Sequence, residues 1–550
     1  MTSFYGILFL LTFVGFFLRI LFWEQTIFNS DEAYLTIYAS KAARFWELES
    51  WRDFPLTGLR TSFGFRNPPL LIYLMAPCFA LSSDPRFAML FVILLGSAAV
   101  LFAGIATRML YCPKSGLVVA LLVALLPNAV QHSRQLWGHD LQIFCSALVF
   151  WGVALALREQ RQRGLCVSFA AAISAMAFHL SGVFLLLLPL GTLLLLPKRK
   201  AWKSLLFVIG ILLFVYAPWL VDEAGWNRPG LPSEERFESL RIMSSILMGT
   251  GERTPVETPV LPSLGWFAVL VDGFRLDIVG TYYHDTFYQN PVLLLLIGGF
   301  QVLMGILMVS GLVLMALQRN NPMATVERLL ILQSLVPLLL FQFLPISSVP
   351  LYMLPAFLPG CIAVVRMLGW CSEFHHSSLP ESFGKMVAVG LLCCILFGSL
   401  IYAFRTHHVR RNADFTQSLP TVFESKFRAI LLIQTVTEQV ENLPPGSYTI
   451  LQNGRTADAG VDVWIPALYS SITQSKTFPY HPEAPSAFLI LDNETNLHPE
   501  LEDILQRKDY TPLKTLRVYR FFPGELHRWK ELTMQFPSSR TDGTPSSVPH

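Results

Sequence analysis

Residues 164–197 restrict how this chain can fold more than any other stretch, because 34 consecutive residues there include no Asp, Glu, Lys or Arg. A helix that crosses the roughly 30 Å apolar core of a membrane needs about 20 such residues. The stretch is too long for one crossing, and His179, Ser181 and Gly182 lie at its middle. It therefore predicts a tight hairpin of two membrane helices.

Nine further apolar runs have the length of membrane helices. Hydrophobic residues make up 53% of the 550-residue chain and charged residues only 14%, against about 25% charged in an average soluble protein. The net charge of +3 is too small to indicate a nucleic-acid partner. The sequence thus predicts a multi-span α-helical membrane protein of about eleven helices. Two form the hairpin, and the others are expected at 4–22, 87–107, 115–131, 141–157, 204–221, 291–317, 329–344, 350–365 and 386–404.

Basic residues predict the orientation of these helices, because cytoplasmic loops are enriched in Lys and Arg. The run 67–83 is apolar but contains Pro68, Pro69 and Pro77, and its assignment decides the side of every later loop. If it does not cross and the N-terminus is inside, the inner loops hold 13 basic residues, whereas the short outer loops hold only Arg134. The thirteen are Arg108, Lys114, Arg158, Arg161, Arg163, Lys198, Arg199, Lys200, Lys203, Arg319, Arg328, Arg366 and Lys385. We therefore expect the N-terminus inside and 67–83 as a re-entrant or interfacial helix on the outer side.

With this orientation, three longer polar segments face the non-cytoplasmic side. They are the outer loop 23–86, the outer loop 222–290 and the tail that follows the membrane core 1–404. A chain of this kind presents most of its polar residues to one face of the membrane.

The tail alternates helical and strand patterns, so it predicts a small extracytoplasmic α/β domain at 405–525. Its end, 526–550, is rich in Ser, Pro and Thr and is expected to be disordered. Helices are expected at 425–443 and 498–508, and strands at 446–454, 486–493 and 515–523.

The first outer loop carries "FNSDEAYLTIYASKAARF", residues 28–45, in which Asp31 and Glu32 open a helical pattern. Taken alone, Asp31 is typical of a helix N-cap and Glu32 of solvated charge. Further along, Arg66 and Asn67 precede Pro68-Pro69 at the membrane boundary. Arg66 fits either a side chain that reaches lipid headgroups or a guanidinium that binds a lipid-linked phosphate.

Two other outer segments hold further candidates. "QHSRQLWGHDLQIF", residues 131–144, contains Arg134 and Asp140, which fit either an ion pair that ties the loop together or a specific polar role. The segment 272–290 interleaves aromatic residues with His284, a pattern that fits a sugar-binding cleft or an ordinary membrane interface.

Four motifs in this order resemble the GT-C superfamily of membrane glycosyltransferases, and most closely its protein O-mannosyltransferase and lipid A aminoarabinose transferase branch. They are "DEAYLTIYASKA", "NPPLLIYLMAP", "SRQLWGHD" and "LYMLPAFLPG". Such enzymes transfer a sugar from a polyprenyl-phosphate carrier to an acceptor hydroxyl outside the cytoplasm, with inversion at the sugar.

By position, the resemblance implies that Asp31 is the catalytic base, with Glu32 beside it. Arg66 and Arg134 are the candidates for the donor phosphate, and Asp140 and His284 for substrate binding. The aminoarabinose transferases have Glu-Lys where this chain has Arg66-Asn67. The expected partners are a polyprenyl-phosphate-linked sugar, membrane lipids, and an acceptor that is a lipid, a glycan or a protein.

Other interpretations stay open at this point. A lipid or glycolipid transporter or flippase would also be a multi-span protein, although no matched internal repeats are present. A catalytically inactive membrane scaffold that presents the tail is the other alternative. No cofactor is certain, a divalent cation is compatible with the chemistry, and the expected location is a bacterial inner membrane.

Overall fold

The structure is a computed structural model, and its residues group into two compact units. One comprises Met1–Thr26 and Tyr34–Asn412, and the other comprises Ile27–Ala33 and Ala413–His550. The residues that it describes are 2–21, 30–48, 50–59, 66–82, 84–159, 162–195, 198–225, 237, 241, 291–318, 323–343, 350–373, 382–412, 448–452, 486–492, 505, 510–513 and 516–521.

Fourteen α-helices follow one another within the described part of the first 412 residues. They are α1 (Thr2–Ile20), α2 (Ser30–Ala43), α3 (Leu70–Leu81), α4 (Pro85–Leu110), α5 (Pro113–Leu125), α6 (Pro127–Gln131), α7 (Gln142–Arg158), α8 (Gln162–Phe178), α9 (Leu187–Leu195), α10 (Lys198–Glu223), α11 (Pro291–Leu317), α12 (Ala324–Phe343), α13 (Phe357–Glu373) and α14 (Phe383–Asn412). Short 3₁₀ turns occur at Phe45–Glu47, Trp51–Asp53, Gly138–Leu141, Leu180–Leu186 and Pro350–Ala356.

The chain is mostly helical, and among the described residues 7 helical segments are long and apolar enough to cross a membrane. They are Ser3–Ile20, Pro85–Leu110, Gly138–Arg158, Lys203–Glu223, Gly298–Leu317, Met353–Glu373 and Phe383–Ile401. A multi-span membrane protein is thereby confirmed, whereas the count of eleven spans stays a prediction.

The 34-residue uncharged stretch is broken at its middle. Helix α8 ends at Phe178, His179 is extended, and a 3₁₀ turn leads into α9. A side chain on Gly182 would overlap the backbone of Ala175, so only glycine permits the two arms to approach this closely. The helical hairpin therefore turns where the sequence predicts it.

Helix α3 is too short to cross a membrane. It has 12 residues, and at 1.5 Å per residue it rises about 18 Å, against an apolar core of about 30 Å. This length agrees with the prediction that the run 67–83 does not span.

Small residues bring the central helices together. A β-carbon on Gly152 of α7 would lie 2.5 Å from the carbonyl oxygen of Gly164 on α8, and one on Gly164 would lie 2.6 Å from that of Gly152. Membrane helices have no hydrophobic drive to associate within lipid, so they depend on such close backbone packing.

At one end of the helical unit, charged side chains tie several helix ends together. Arg366 of α13 forms an ion pair with Glu327 of α12 at 3.0 Å and also binds Gln318. Arg158 at the end of α7 donates to the carbonyl of Leu110 at 2.8 Å. This end carries many of the basic residues that the sequence assigns to the cytoplasm.

The second unit contains a four-stranded sheet of β1 (Tyr448–Gln452), β2 (Ser486–Asp492), β3 (Tyr510–Leu513) and β4 (Leu516–Phe521). The strand order is β1-β2-β4-β3, with β1 parallel to β2 and the other pairs antiparallel. Three of the strands lie where the sequence predicts strands. The two predicted tail helices lie outside the described residues, apart from Leu505, and the α/β domain stays a prediction.

Candidate functional site

Asp31 and Glu32 lie in the first turn of α2, which begins at Ser30. The helix therefore starts before Asp31, which is not the N-cap that its sequence suggests. Glu32 is fully buried, whereas Tyr34 and Lys41 on the same helix are exposed. The N-terminal turn of a helix favours acidic side chains, because the backbone N–H groups there carry partial positive charge.

Arg66 sits where the 23–86 loop enters α3. The indole N–H of Trp219 donates to the carbonyl of Arg66 at 2.9 Å. The guanidinium lies 3.8 Å from a carboxylate oxygen of Asp222, and the Arg66 side chain is 43% exposed against 6% for Asp222. Trp219 and Asp222 both belong to the end of α10, so α10 fixes the position of Arg66 while its cation stays accessible.

The preceding segment of the loop holds this entry from the other side. The N–H of Gly58 donates to the carbonyl of Asn67 at 2.6 Å, and Asn67 donates back to Leu59 at 3.0 Å. The Tyr73 hydroxyl of α3 donates to the carbonyl of Pro55 at 2.8 Å. The backbone N–H and carbonyl of Asn67, just before Pro68-Pro69, are thus both bonded to the segment Gly58–Leu59.

Arg134 lies in the loop between α6 and α7 and binds back to α1. Its guanidinium donates to the carbonyl of Leu18. The neighbouring Ser133 accepts a bond of 2.8 Å from Nε of Arg19, which is fully buried. Arg134 is therefore held at the C-terminal end of α1, which leads into the 23–86 loop.

Asp140 is fully buried and is paired within the same loop. Its Oδ1 lies 3.2 Å from Nδ1 of His132, whose side chain is equally buried. A buried carboxylate needs such a partner, since an isolated charge away from water is strongly disfavoured. The pair can hold and pass a proton, as imidazole–carboxylate pairs do.

A second imidazole lies across the loop, at the turn of the hairpin. The rings of His139 and His179 have centroids 3.7 Å apart. Nδ1 of His179 accepts the backbone N–H of Ser181 at 3.2 Å, so the neutral ring carries its proton on Nε2. Burial lowers the pKa of His179 to about 3, and the ring is neutral at physiological pH.

The loop between α6 and α7 also lies against the end of α8. A β-carbon on Gly138 would overlap the carbonyl oxygen of Phe178. The side-chain amide of Gln142 donates to the carbonyl of Ala175 at 2.9 Å. With the bonds to α1, these contacts give the loop a fixed position at this end of the helical unit.

Of the predicted site residues, Arg66, Arg134 and Asp140 lie at the same end of the helical unit, opposite the Glu327–Arg366 pair. Asp31 and Glu32 are grouped with the second unit. His284 lies outside the described residues. Within the part of the chain that the structure describes, no group of three or more His, Cys, Asp or Glu side chains could hold a metal ion.

Sequence reasoning missed two residues that the structure places at this end. Arg19 was visible as the one charge inside the first apolar run, which is a signal for a specific role. Asp222 directly follows the apolar run 204–221, and Asp31 follows the first apolar run by a few residues. An acidic residue just past an apolar run is the signal that the two share.

Comparison with solved structures identifies the fold. ArnT from Cupriavidus metallidurans, a lipid A aminoarabinose transferase, is similar to this chain in two structures. In the structure bound to undecaprenyl phosphate, the TM-score is 0.54 at 12% sequence identity, over 94% of this chain and 97% of ArnT. In the apo state it is 0.52 at 12% identity, over 95% and 98%.

The oligosaccharyltransferase of Archaeoglobus fulgidus in complex with zinc and sulfate gives a TM-score of 0.49 at 13% identity, over 93% of this chain and 72% of that one. No protein-family model and no curated protein matches the chain.

Proposed function

We propose that this chain, which has the fold of the GT-C membrane glycosyltransferases, transfers a sugar from a polyprenyl-phosphate carrier to an acceptor hydroxyl. The observation that carries the proposal is the similarity, over 94% of the chain, to an ArnT structure that holds undecaprenyl phosphate. Membrane lipids surround the enzyme, and the acceptor is a lipid, a glycan or a protein.

The proposal includes a topology. The chain crosses the membrane eleven times with its N-terminus inside, and it acts on the extracytoplasmic face of a bacterial inner membrane. The 405–525 tail is an extracytoplasmic α/β domain. The Lys and Arg residues that cluster opposite Arg66 and Arg134 support this orientation, because basic residues favour the cytoplasmic side.

The chemistry is a direct displacement at the anomeric carbon. Asp31 takes the proton of the acceptor hydroxyl. The hydroxyl oxygen of the acceptor attacks the anomeric carbon from the face opposite the phosphate. The bond between the anomeric carbon and the phosphate oxygen breaks, and polyprenyl phosphate leaves with one more negative charge. The configuration of the sugar is thereby inverted.

The departing phosphate needs positive charge, because charge develops on it in the transition state. Arg66 and Arg134 are the cations that we assign to it. The side chain of Arg66 is 43% exposed, and a guanidinium can bind a phosphate through two parallel hydrogen bonds. Arg134 is held at the outer end of α1.

We assign Glu32 as the neighbour of the base and His284 to substrate binding, whereas Asp140, which is fully buried against His132, contributes to substrate binding through that pair. A divalent cation bound to the phosphate would lower its charge further.

The test uses the purified full chain in proteoliposomes with a panel of polyprenyl-phosphate sugars that carry a labelled sugar. A glycosyltransferase moves the label to a water-soluble or lipid acceptor and releases polyprenyl phosphate. A flippase moves the labelled lipid between leaflets with the sugar still attached. A scaffold does neither, and an intact donor in both assays would refute the proposal.

A further inference from the structure

The last turn of α1 contains a cation that is completely enclosed by neutral oxygen atoms. Arg19 is fully buried. A guanidinium has five N–H donors, and all five are used. They reach Ser133 Oγ at 2.8 Å, the carbonyls of Gly15 at 2.9 Å, Ala124 at 3.4 Å, Val123 at 3.0 Å and Ala129 at 3.2 Å.

One of these carbonyls, that of Val123, is available because Pro127 follows the end of α5. In a continuing helix, the residue at 127 would donate its N–H to the carbonyl of Val123, but Pro127 has no N–H. Arg19 supplies that donor from α1. The C-terminus of α5 also favours a positive charge, since its free carbonyls carry partial negative charge.

A second arginine binds in the opposite direction, from the loop between α6 and α7 to α1. Arg134, adjacent to the Ser133 that Arg19 binds, donates to the carbonyl of Leu18, adjacent to Arg19. Arg19, Ser133 and Arg134 form a clasp that joins α1 to the loop between α6 and α7. Gly96 leaves space for this clasp, since a β-carbon there would lie 2.8 Å from Ser133 Oγ and 3.3 Å from Arg19 Nε.

We propose that Arg19 is a positioning residue for sugar transfer, which acts by fixing the guanidinium of Arg134 where it meets the donor phosphate. The proposal rests on the proposed function. Arg19 itself has no accessible surface and cannot touch the donor. It holds the side-chain hydroxyl of Ser133 through one bond and the carbonyls of Val123, Ala124 and Ala129 through three others, and these bonds fix the segment that leads into Arg134.

The first variant is Arg19→Lys, which keeps the charge but offers three donors to five acceptors. We expect the KM for a polyprenyl-phosphate sugar to rise at least tenfold, with a smaller fall in kcat. The matched control is Arg108→Lys. Arg108 lies over the rings of Phe4 and Tyr5 at the other end of α1, at 4.4 and 4.8 Å. The Arg108→Lys protein should have the KM of the wild type.

Ser133→Ala keeps Arg19 and removes one of its five partners, so it decides the question if Arg19→Lys does not fold. It should raise the KM several-fold with little change in Tm. If Arg19 acts through Arg134, the double variant Arg19→Lys with Arg134→Gln will have the KM of Arg134→Gln alone, whereas independent effects would multiply.

The two failures are distinguishable. A wild-type protein that transfers no sugar refutes the proposed function, and the positioning role falls with it. An active wild type, together with folded Arg19→Lys or Ser133→Ala protein of unchanged KM, refutes the positioning role alone. Multiplicative effects in the double variant would also refute it.

Discussion

Replacing Glu327 with Gln should destabilise the helical unit, because it removes the charge that compensates a largely enclosed arginine. Glu327 of α12 is fully buried, and Arg366 of α13 lies 3.0 Å from it with 26% of its side chain exposed. Gln has the same shape as Glu, so packing is kept and only the charge is lost.

The size of the effect follows from burial. Removing one partner of a fully buried ion pair costs about 3–5 kcal/mol, since the other charge is left uncompensated. Arg366 reaches water over about a quarter of its side chain and keeps its bond to Gln318, which lowers the expected cost to about 2–3 kcal/mol. Replacing both partners by Glu327→Leu and Arg366→Met should cost less than Glu327→Gln alone, because no uncompensated charge remains.

The assay is reversible unfolding of the purified protein in mixed micelles, followed by circular dichroism. Glu373→Gln is the control, because Glu373 is exposed at the end of α13, the helix that carries Arg366. Its stability should stay within about 0.5 kcal/mol of the wild type. A Glu327→Gln protein as stable as this control would refute the reasoning, and so would a double variant less stable than Glu327→Gln.

Three further predictions concern the opposite end of the helical unit. Burial lowers the pKa of His179 to about 3, below about 6.5 in the unfolded chain, so the unfolded state binds the extra proton as pH falls. Stability should fall below pH 6.5, and between pH 7 and pH 5 the slope should be smaller in His179→Gln by up to about 1.4 kcal/mol per pH unit, while His139, whose pKa burial also lowers, keeps its own contribution. Asp222→Asn should tighten binding of undecaprenyl phosphate up to about fivefold, measured as a Kd. The reason is that Asp222 competes with the phosphate for Arg66, in a half-exposed pair worth under about 1 kcal/mol. Weaker binding would contradict this. Gly138→Ala should cost about 1–3 kcal/mol of unfolding free energy, since its β-carbon overlaps the carbonyl of Phe178 and the backbone must shift, and an unchanged value would show that it does not.

The helices could be predicted from the sequence because lipid excludes charge, and an uncharged run of sufficient length has few alternatives. The hairpin turn at His179–Gly182 is the clearest case, since length alone required a break and polar or small residues marked its place. Helix ends were less accurate. The predicted span 386–404 lies within a helix that runs from Phe383 to Asn412, because charged residues outside the lipid continue a helix without penalty.

The partners of the polar side chains could not be predicted, because packing of distant segments decides them. Arg19 binds residues more than 100 positions away, and nothing near it in the sequence indicates those carbonyls. The suggestion that Arg134 and Asp140 pair across their loop illustrates the same point. The structure places His132 against Asp140 and the carbonyl of Leu18 against Arg134.

The most direct test of the central claim is the rate of sugar transfer by Asp31→Asn, with Asp53→Asn as the control. Asp53 is an exposed acid in the same 23–86 loop and has no assigned role. A general base contributes about 10²–10⁴-fold, so the Asp31→Asn protein should insert, bind undecaprenyl phosphate as the wild type does, and transfer sugar at least a hundredfold more slowly. Transfer by Asp31→Asn at the rate of Asp53→Asn and the wild type would contradict the assignment and remove the chemical centre from the proposed mechanism.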